Sequence, residues 1–227
     1  MPTNTEPKSS TTLVDALLPK IRAGIQSGRY LPGQRLVELD LTRELKVSRG
    51  VLREAMRRLA GEGMIILEPR RGCIVRRFSM QDVRELHQVR EIIEGFAARL
   101  AAGNIGSGDN RERLKNLMSD MLKLRKADDA GRYMGANVAF HDLIVEMSGN
   151  RHLAGLITQL RLPTIRTQYQ RFLDREVKRH SIDDHRAIAK AIFAGNGALA
   201  EKTMRRHIRH SAELAEAVAQ PVDIERH

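Results

Sequence analysis

Two sets of side chains in this 227-residue chain have types and spacings suited to recognition or metal chemistry. The first is Arg49, Arg53 and Arg57, four apart, with the small Gly50 among them. Ser48 before them is a good helix N-cap, and Val51, Leu52, Ala55, Met56 and Leu59 recur as one buried helical stripe. The arginines therefore fall on the outward side. Guanidinium is the commonest reader of guanine O6 and N7, and such a helix fits the major groove of B-DNA. A solvated basic face on a structural helix has the same pattern, so the arginines alone leave both readings open. The second set is three of the eight histidines: His141, His185 and His207. Asn137 stands four before His141, on the same helix face. His185 lies a turn before Ile188 and His207 a turn after Met204, so both face apolar stripes. Imidazoles turned into a core need a partner, and a borderline divalent ion is one. Most helical histidines are satisfied without metal, and no His-Glu-x-x-His motif is present, so spacing leaves this open too.

The elements that must position these residues follow from periodicity. Residues 1–10 are polar and aperiodic and read as a flexible tail. Leu13, Leu17, Leu18, Ile21 and Ile25 make a helix ending near Ser27-Gly28. After the turn Leu31-Pro32-Gly33, the residues Leu36, Leu41 and Leu45 mark a short second helix, and Lys46-Val47 leads tightly into the arginine helix. Gly61 to Gly63 closes that helix. Two β-prone runs, Met64 to Leu67 and Cys73 to Val75, flank Glu68-Pro69-Arg70-Arg71-Gly72 and predict a hairpin. Three helices and a basic-tipped hairpin make a winged helix-turn-helix over residues 11–78. Its third helix would enter the major groove of double-stranded DNA, with Arg70 and Arg71 supplying charge at the wing and Gly72 permitting close approach.

Residues 79–219 have a different character. Ser79 is placed to cap a long helix bearing Val83, Leu86, Val89, Ile93, Phe96 and Leu100. Further helical stretches fall at about 110–126, 130–148, 151–173, 176–194 and 197–219, with Pro163 expected to kink one of them. Six amphipathic helices without a convincing strand predict an all-α bundle, and 220–227 is a C-terminal tail. The overall expectation is a mainly α chain.

Charge supports a polyanionic partner. The net charge is +11. Residues 1–78 hold 15 Lys/Arg against 8 Asp/Glu, and the remainder 24 against 20, so the excess sits with the N-terminal third. No stretch approaches the apolar length of a membrane helix, and the N-terminus lacks a signal pattern. The one cysteine, Cys73, cannot form an internal disulfide. Together these point to the cytoplasm.

The motifs Pro32-Gly33-x-Arg35-Leu36-x-Glu38, Val47-Ser48-Arg49, Leu52-Arg53-Glu54-Ala55, Arg58-Leu59, Glu62-Gly63 and Pro69-x-x-Gly72 resemble the GntR family of bacterial transcription regulators. The resemblance implies DNA contacts from Arg49 and Arg53, with the wing near Gly72. The full expected DNA-binding set is Arg35, Ser48, Arg49, Gly50, Arg53, Arg57, Arg70, Arg71 and Gly72. Gly50-Val51 replaces the usual Thr-Pro, and Leu39 stands where one branch has a DNA-contacting arginine. Arg90-x-x-x-Glu94, Phe140-His141, Ser148-Gly149-Asn150, His185-x-x-Ile188 and His207-Ile208 resemble the FCD-type effector-binding domain of the FadR subfamily, and six helices its VanR-like branch. Many such domains join an aspartate and three histidines around a metal. Here the ligand set implied is Asn137, His141, His185 and His207 around a divalent ion, zinc by ligand type, with an amide in the aspartate's place. The resemblance also makes Arg90 a candidate to grip an effector carboxylate. A salt bridge to Glu94, four residues on, is the plainer reading.

The leading expectation is a ligand-responsive repressor that binds an inverted-repeat operator as a homodimer. One short recognition helix reads too few base pairs to be specific alone. A cation, three neutral imidazoles, an amide and Arg90 make a positive pocket, which calls for a small carboxylate-bearing effector. A metal sensor with the ion itself as effector is the alternative. A metal-dependent hydrolase lacks a marked general base, so no enzyme activity is expected.

Overall fold

The computed structural model describes residues 10–68, 72–125, 129–160 and 175–219. The expected tails, the wing-tip residues Arg70 and Arg71, and the kink at Pro163 lie outside the described residues. The chain divides into two compact units, one ending at Phe78 and the other beginning at Ser79.

The first unit contains α1 (Ser10–Gln26), β1 (Arg35–Leu36), α2 (Glu38–Leu45), α3 (Arg49–Gly61), β2 (Ile65–Glu68) and β3 (Gly72–Val75). The stripe of α3 is buried as its spacing requires, with Leu52, Ala55 and Leu59 packed beside Ile21, Ile25 and Met64 in one core. Removing a buried leucine from such a core costs about 2–5 kcal/mol. Ser48 caps α3 by accepting from the Val51 amide. The turn from α2 into α3 is made by Lys46 in the left-handed region, at φ 54°.

One element differs from expectation. Leu36 is not part of the second helix but half of β1, paired antiparallel with Cys73, and α2 begins two residues later at Glu38. The sheet order is β1-β3-β2, so the hairpin carries a third strand. Gly33, at φ 83°, turns the chain so that its amide reaches the Val75 carbonyl at 2.8 Å, and Gln34 accepts from the Val75 amide at 2.9 Å. Pairing of Arg35 and Leu36 with β3 holds their backbone extended, and Val37 is extended too, so α2 starts only at Glu38. Cys73 is buried beside Met56, and burial pushes its thiol up to about 12, which leaves it unreactive near neutral pH.

The second unit contains α4 (Met80–Gly103), α5 (Asn110–Leu124), α6 (Ala130–Met147), α7 (Arg151–Leu160), α8 (Arg175–Phe193) and α9 (Gly197–Ala219). Ser79 starts α4 with a reciprocal capping box: its hydroxyl accepts from the Asp82 amide and the Asp82 carboxylate accepts from the Ser79 amide. α4 is the central strut, packed along α9 and against α6, α7 and α8. Ala97, Ala98, Ala101 and Ala102 line its buried side, and small residues let the neighbouring helices approach closely. Its opposite side leaves Val89, Ile92 and Phe96 exposed.

Candidate nucleic-acid interface and metal centre

In the first unit α3 presents Arg49, Gly50, Arg53 and Arg57 together on its exposed side. Arg53 donates from Nε to Glu38 Oε2 at 2.9 Å, bridging α3 to the first turn of α2. Its two Nη groups have no partner among the described residues, so the forked end of the guanidinium points to solvent. Arg57 pairs with Glu54 at 3.0 Å, on the same helix. Arg35 is exposed on β1, with its Nε near Gly72 at the start of β3. Gly72 has φ 92°, a conformation that favours glycine where the wing turns. The expected interface residues that lie among the described ones thus share the α3 face or the wing beside it. Glu38 was missed as a partner of Arg53 because fifteen residues separate them.

In the second unit three helices bring the histidines together. α6 supplies His141, α8 His185 and α9 His207, and each is buried. His185 Nε2 lies 3.3 Å from His141 Nε2 and 3.1 Å from His207 Nε2. One donor atom from each ring falls within 4.8 Å of the others. Zinc–nitrogen bonds of about 2.0–2.1 Å in tetrahedral array place nitrogens about 3.3–3.4 Å apart, so the donor spacing suits such an ion. The Phe140 ring packs against His185 at 4.5 Å between centroids, walling that side with apolar surface. Burial, together with His207 and His141 nearby, holds His185 well below its ordinary pKa. A neutral imidazole is the ligand form. Its Nδ1 is buried without a hydrogen-bond partner among the described residues.

Asn137 stands on α6 one turn before His141, half-buried, its side chain making no hydrogen bond among the described residues. Arg90 is engaged: its Nε donates to Glu94 Oε1 at 2.8 Å, and its Nη1 lies 3.5 Å from His87 Nε2. Glu94, 1% exposed, turns its other oxygen to His141 Nδ1 at 2.6 Å. Asp184 Oδ2 lies 3.4 Å from His207 Nδ1. Burial works to raise the Asp184 pKa, but His207, His210 and Arg206 outweigh it and hold the carboxyl below its usual value. The charge read from the sequence omitted these two carboxylates. Glu94 shares the spacing of Ala97, Ala98 and Ala101, which marks it as buried, and Asp184 immediately precedes His185. Both signals were in the sequence.

Sequence comparison fits both units. The profile for bacterial regulatory proteins of the gntR family matches residues 13–75, and the FCD domain profile matches 85–210, more than half of the chain. The chain belongs to the gntR family of regulators that carry an FCD domain. It is therefore a DNA-binding transcription regulator and not an enzyme. It is 27% identical over 211 residues to the HTH-type transcriptional regulator LutR of Bacillus subtilis, covering 84% of this chain and 95% of that protein. The HTH-type transcriptional repressor RspR of Escherichia coli is 28% identical over 191 residues, covering 83% and 81%. The structure of E. coli McbR/YncC is similar in fold, with a TM-score of 0.76 at 20% identity, covering 91% of this chain and 98% of that one. A GntR regulator structure from Rhodococcus sp. RHA1 gives 0.74 at 21%, with the same coverage. No helix among the described residues is long and apolar enough to cross a membrane.

Proposed function

We propose that this regulator is a cytoplasmic homodimeric repressor whose helical unit holds one divalent ion, zinc by ligand type, at His141, His185 and His207. A small carboxylate-bearing effector binds at that ion and releases the protein from an inverted-repeat operator. The observation that carries this reading is the convergence of three buried imidazole nitrogens at 3.1 and 3.3 Å. Three neutral rings share too few protons to satisfy one another there, and a cation satisfies all three.

Glu94 is already matched by Arg90, and Asp184 by Arg206, so the double charge of the ion is what remains for an anion to meet. Asn137 brings no charge. An effector carboxylate is the natural completion of the shell, with Arg90 one helix away on α4 as its second anchor. The ion would fix that carboxylate in place; the histidines orient the ion and exclude bulk water from it.

DNA recognition is assigned to α3, with Arg49 and Arg53 reading base edges, Arg57 and Arg35 beside them and Gly72 at the start of β3, while Arg70 and Arg71, outside the described residues, would add positive charge. Operator affinity measured across a panel of organic acids tests the whole reading, with wild type, His185→Ala and Arg90→Ala compared. An acid that releases the wild type several-fold to about a hundredfold should act weakly on both variants. Equal action on all three proteins places the effector elsewhere. A metal titration that shifts operator affinity without any acid would make the ion itself the signal.

A further inference from the structure

The two carboxylates beside the triad have a specific chemical consequence. A carboxylate only accepts hydrogen bonds. With Glu94 Oε2 at 2.6 Å from His141 Nδ1, a neutral His141 ring keeps its proton on Nδ1 and offers Nε2 as a lone pair. Asp184 Oδ2, 3.4 Å from His207 Nδ1, favours the same form in a neutral second ring. Both bare Nε2 atoms then face His185 Nε2. A single proton on His185 Nε2 can serve only one of them.

The geometry points to Glu94 and Asp184 as positioning residues of the metal centre, each fixing one histidine as an Nε2 donor. This rests on the reading of the triad as a metal site given above. A simple structural role for Glu94 would be met by Arg90 alone, through one oxygen. The second oxygen is directed at the histidine instead, at the shorter of the two distances. Such partners fix the ring tautomer and raise the basicity of the ligating nitrogen, and their loss costs about 10–100-fold in metal affinity. Glu94 is deeply buried and close. Asp184 is less buried, more distant, and shared with His210 at 3.6 Å and Arg206 at 3.5 Å. The larger effect should therefore come from Glu94.

The test measures zinc affinity of the full chain by competition with a chelating dye, for wild type, Glu94→Gln, Asp184→Asn and Glu94→Gln/Asn137→Asp. Glu94→Gln should lose about 100-fold and Asp184→Asn about 10-fold. Adding Asn137→Asp to the first should recover a large part of the loss, because it returns an anion to the centre. That recovery also shows that the fold is intact. Nitrogen-15 spectra of histidine-labelled, metal-free wild type should show His141 and His207 protonated at Nδ1. Wild-type affinity in both single variants, or rings protonated at Nε2, overturns the inference while leaving the triad as a metal site. Absence of zinc binding by wild type overturns both. Should Glu94→Gln not fold, Asp184→Asn and the wild-type spectra decide it alone.

Discussion

At the scale of single residues, the same side-chain chemistry acts differently in the two units because its surroundings differ. Arg53 is 67% exposed and spends Nε on Glu38, which leaves its fork exposed for the base contact proposed above. Arg53→Ala should cost about 1–3 kcal/mol on the cognate operator and little on random DNA, in binding titrations at fixed salt. Arg71→Ala should weaken both more evenly and flatten the salt dependence, as loss of a phosphate contact does. Equal loss on the two DNAs from Arg53→Ala would remove its base-reading role. His87 is the contrary case, a buried imidazole whose Nδ1 donates to the Val83 carbonyl at 2.8 Å. Burial first, then the charge of Arg90, lowers its pKa from 6.5 to about 4. Between those values the unfolded chain binds the proton and the folded one does not, so stability is full above about pH 6.5 and declines as pH falls towards 4. The loss is at most about 3 kcal/mol. Urea unfolding in the presence of chelator, at several pH values, should show a shallower acid decline for His87→Gln than for wild type. Parallel profiles would assign the decline to other groups.

At the scale of elements, what was legible in the sequence is what has a period. The α3 stripe repeats over thirteen residues, and its cap and buried face are found as read. β1 is two residues long, too short for any alternation to register, so Leu36 was read with the helix that follows it. In the helical unit His185 and His207 were legible because each faces an apolar stripe, and His141 because Asn137 stands four residues before it on the same face. That their Nε2 atoms meet depends on how α6, α8 and α9 pack, which no local pattern encodes. Glu94 was legible in principle, as a charge at a buried position, but sequence offered Arg90 as its sufficient partner. The turn between α2 and α3 provides a test at this scale. Lys46 holds φ 54°, a conformation that costs a non-glycine residue about 1–2 kcal/mol. Glycine relieves that cost but adds about 0.5–1 kcal/mol of chain entropy to overcome on folding. Lys46→Gly should therefore stabilise the winged unit by about 1 kcal/mol or less, read as a rise in the midpoint of chemical unfolding. A fall would mean that the lysine side chain contributes more than the backbone strain removes.

At the scale of the whole molecule, the homodimer proposed above would supply the sequence specificity that charge alone does not. The residues through Phe78 carry a net +7 and those after it a net +4, which gives general attraction to DNA but no sequence preference. One α3 helix reads only a few base pairs, so a selective regulator needs a second helix on a symmetric site. The helical unit offers a surface for that pairing. Val89, Ile92 and Phe96 lie three and four residues apart on the side of α4 away from its alanine-lined core, and Ile92 is 54% exposed. Three large apolar side chains in one exposed row are unusual on a monomer surface. A two-fold contact through α4 would bury them in both copies at once, since a symmetric interface uses the same patch twice. Ile92→Glu places two like charges across such an axis. Sedimentation at micromolar concentration should find wild type as a dimer and Ile92→Glu shifted towards monomer, with operator affinity falling in parallel while binding to random DNA changes little. A dimeric Ile92→Glu protein with unchanged operator affinity would move the interface off α4. A monomeric wild type that binds a single half-site with full affinity would remove the need for one.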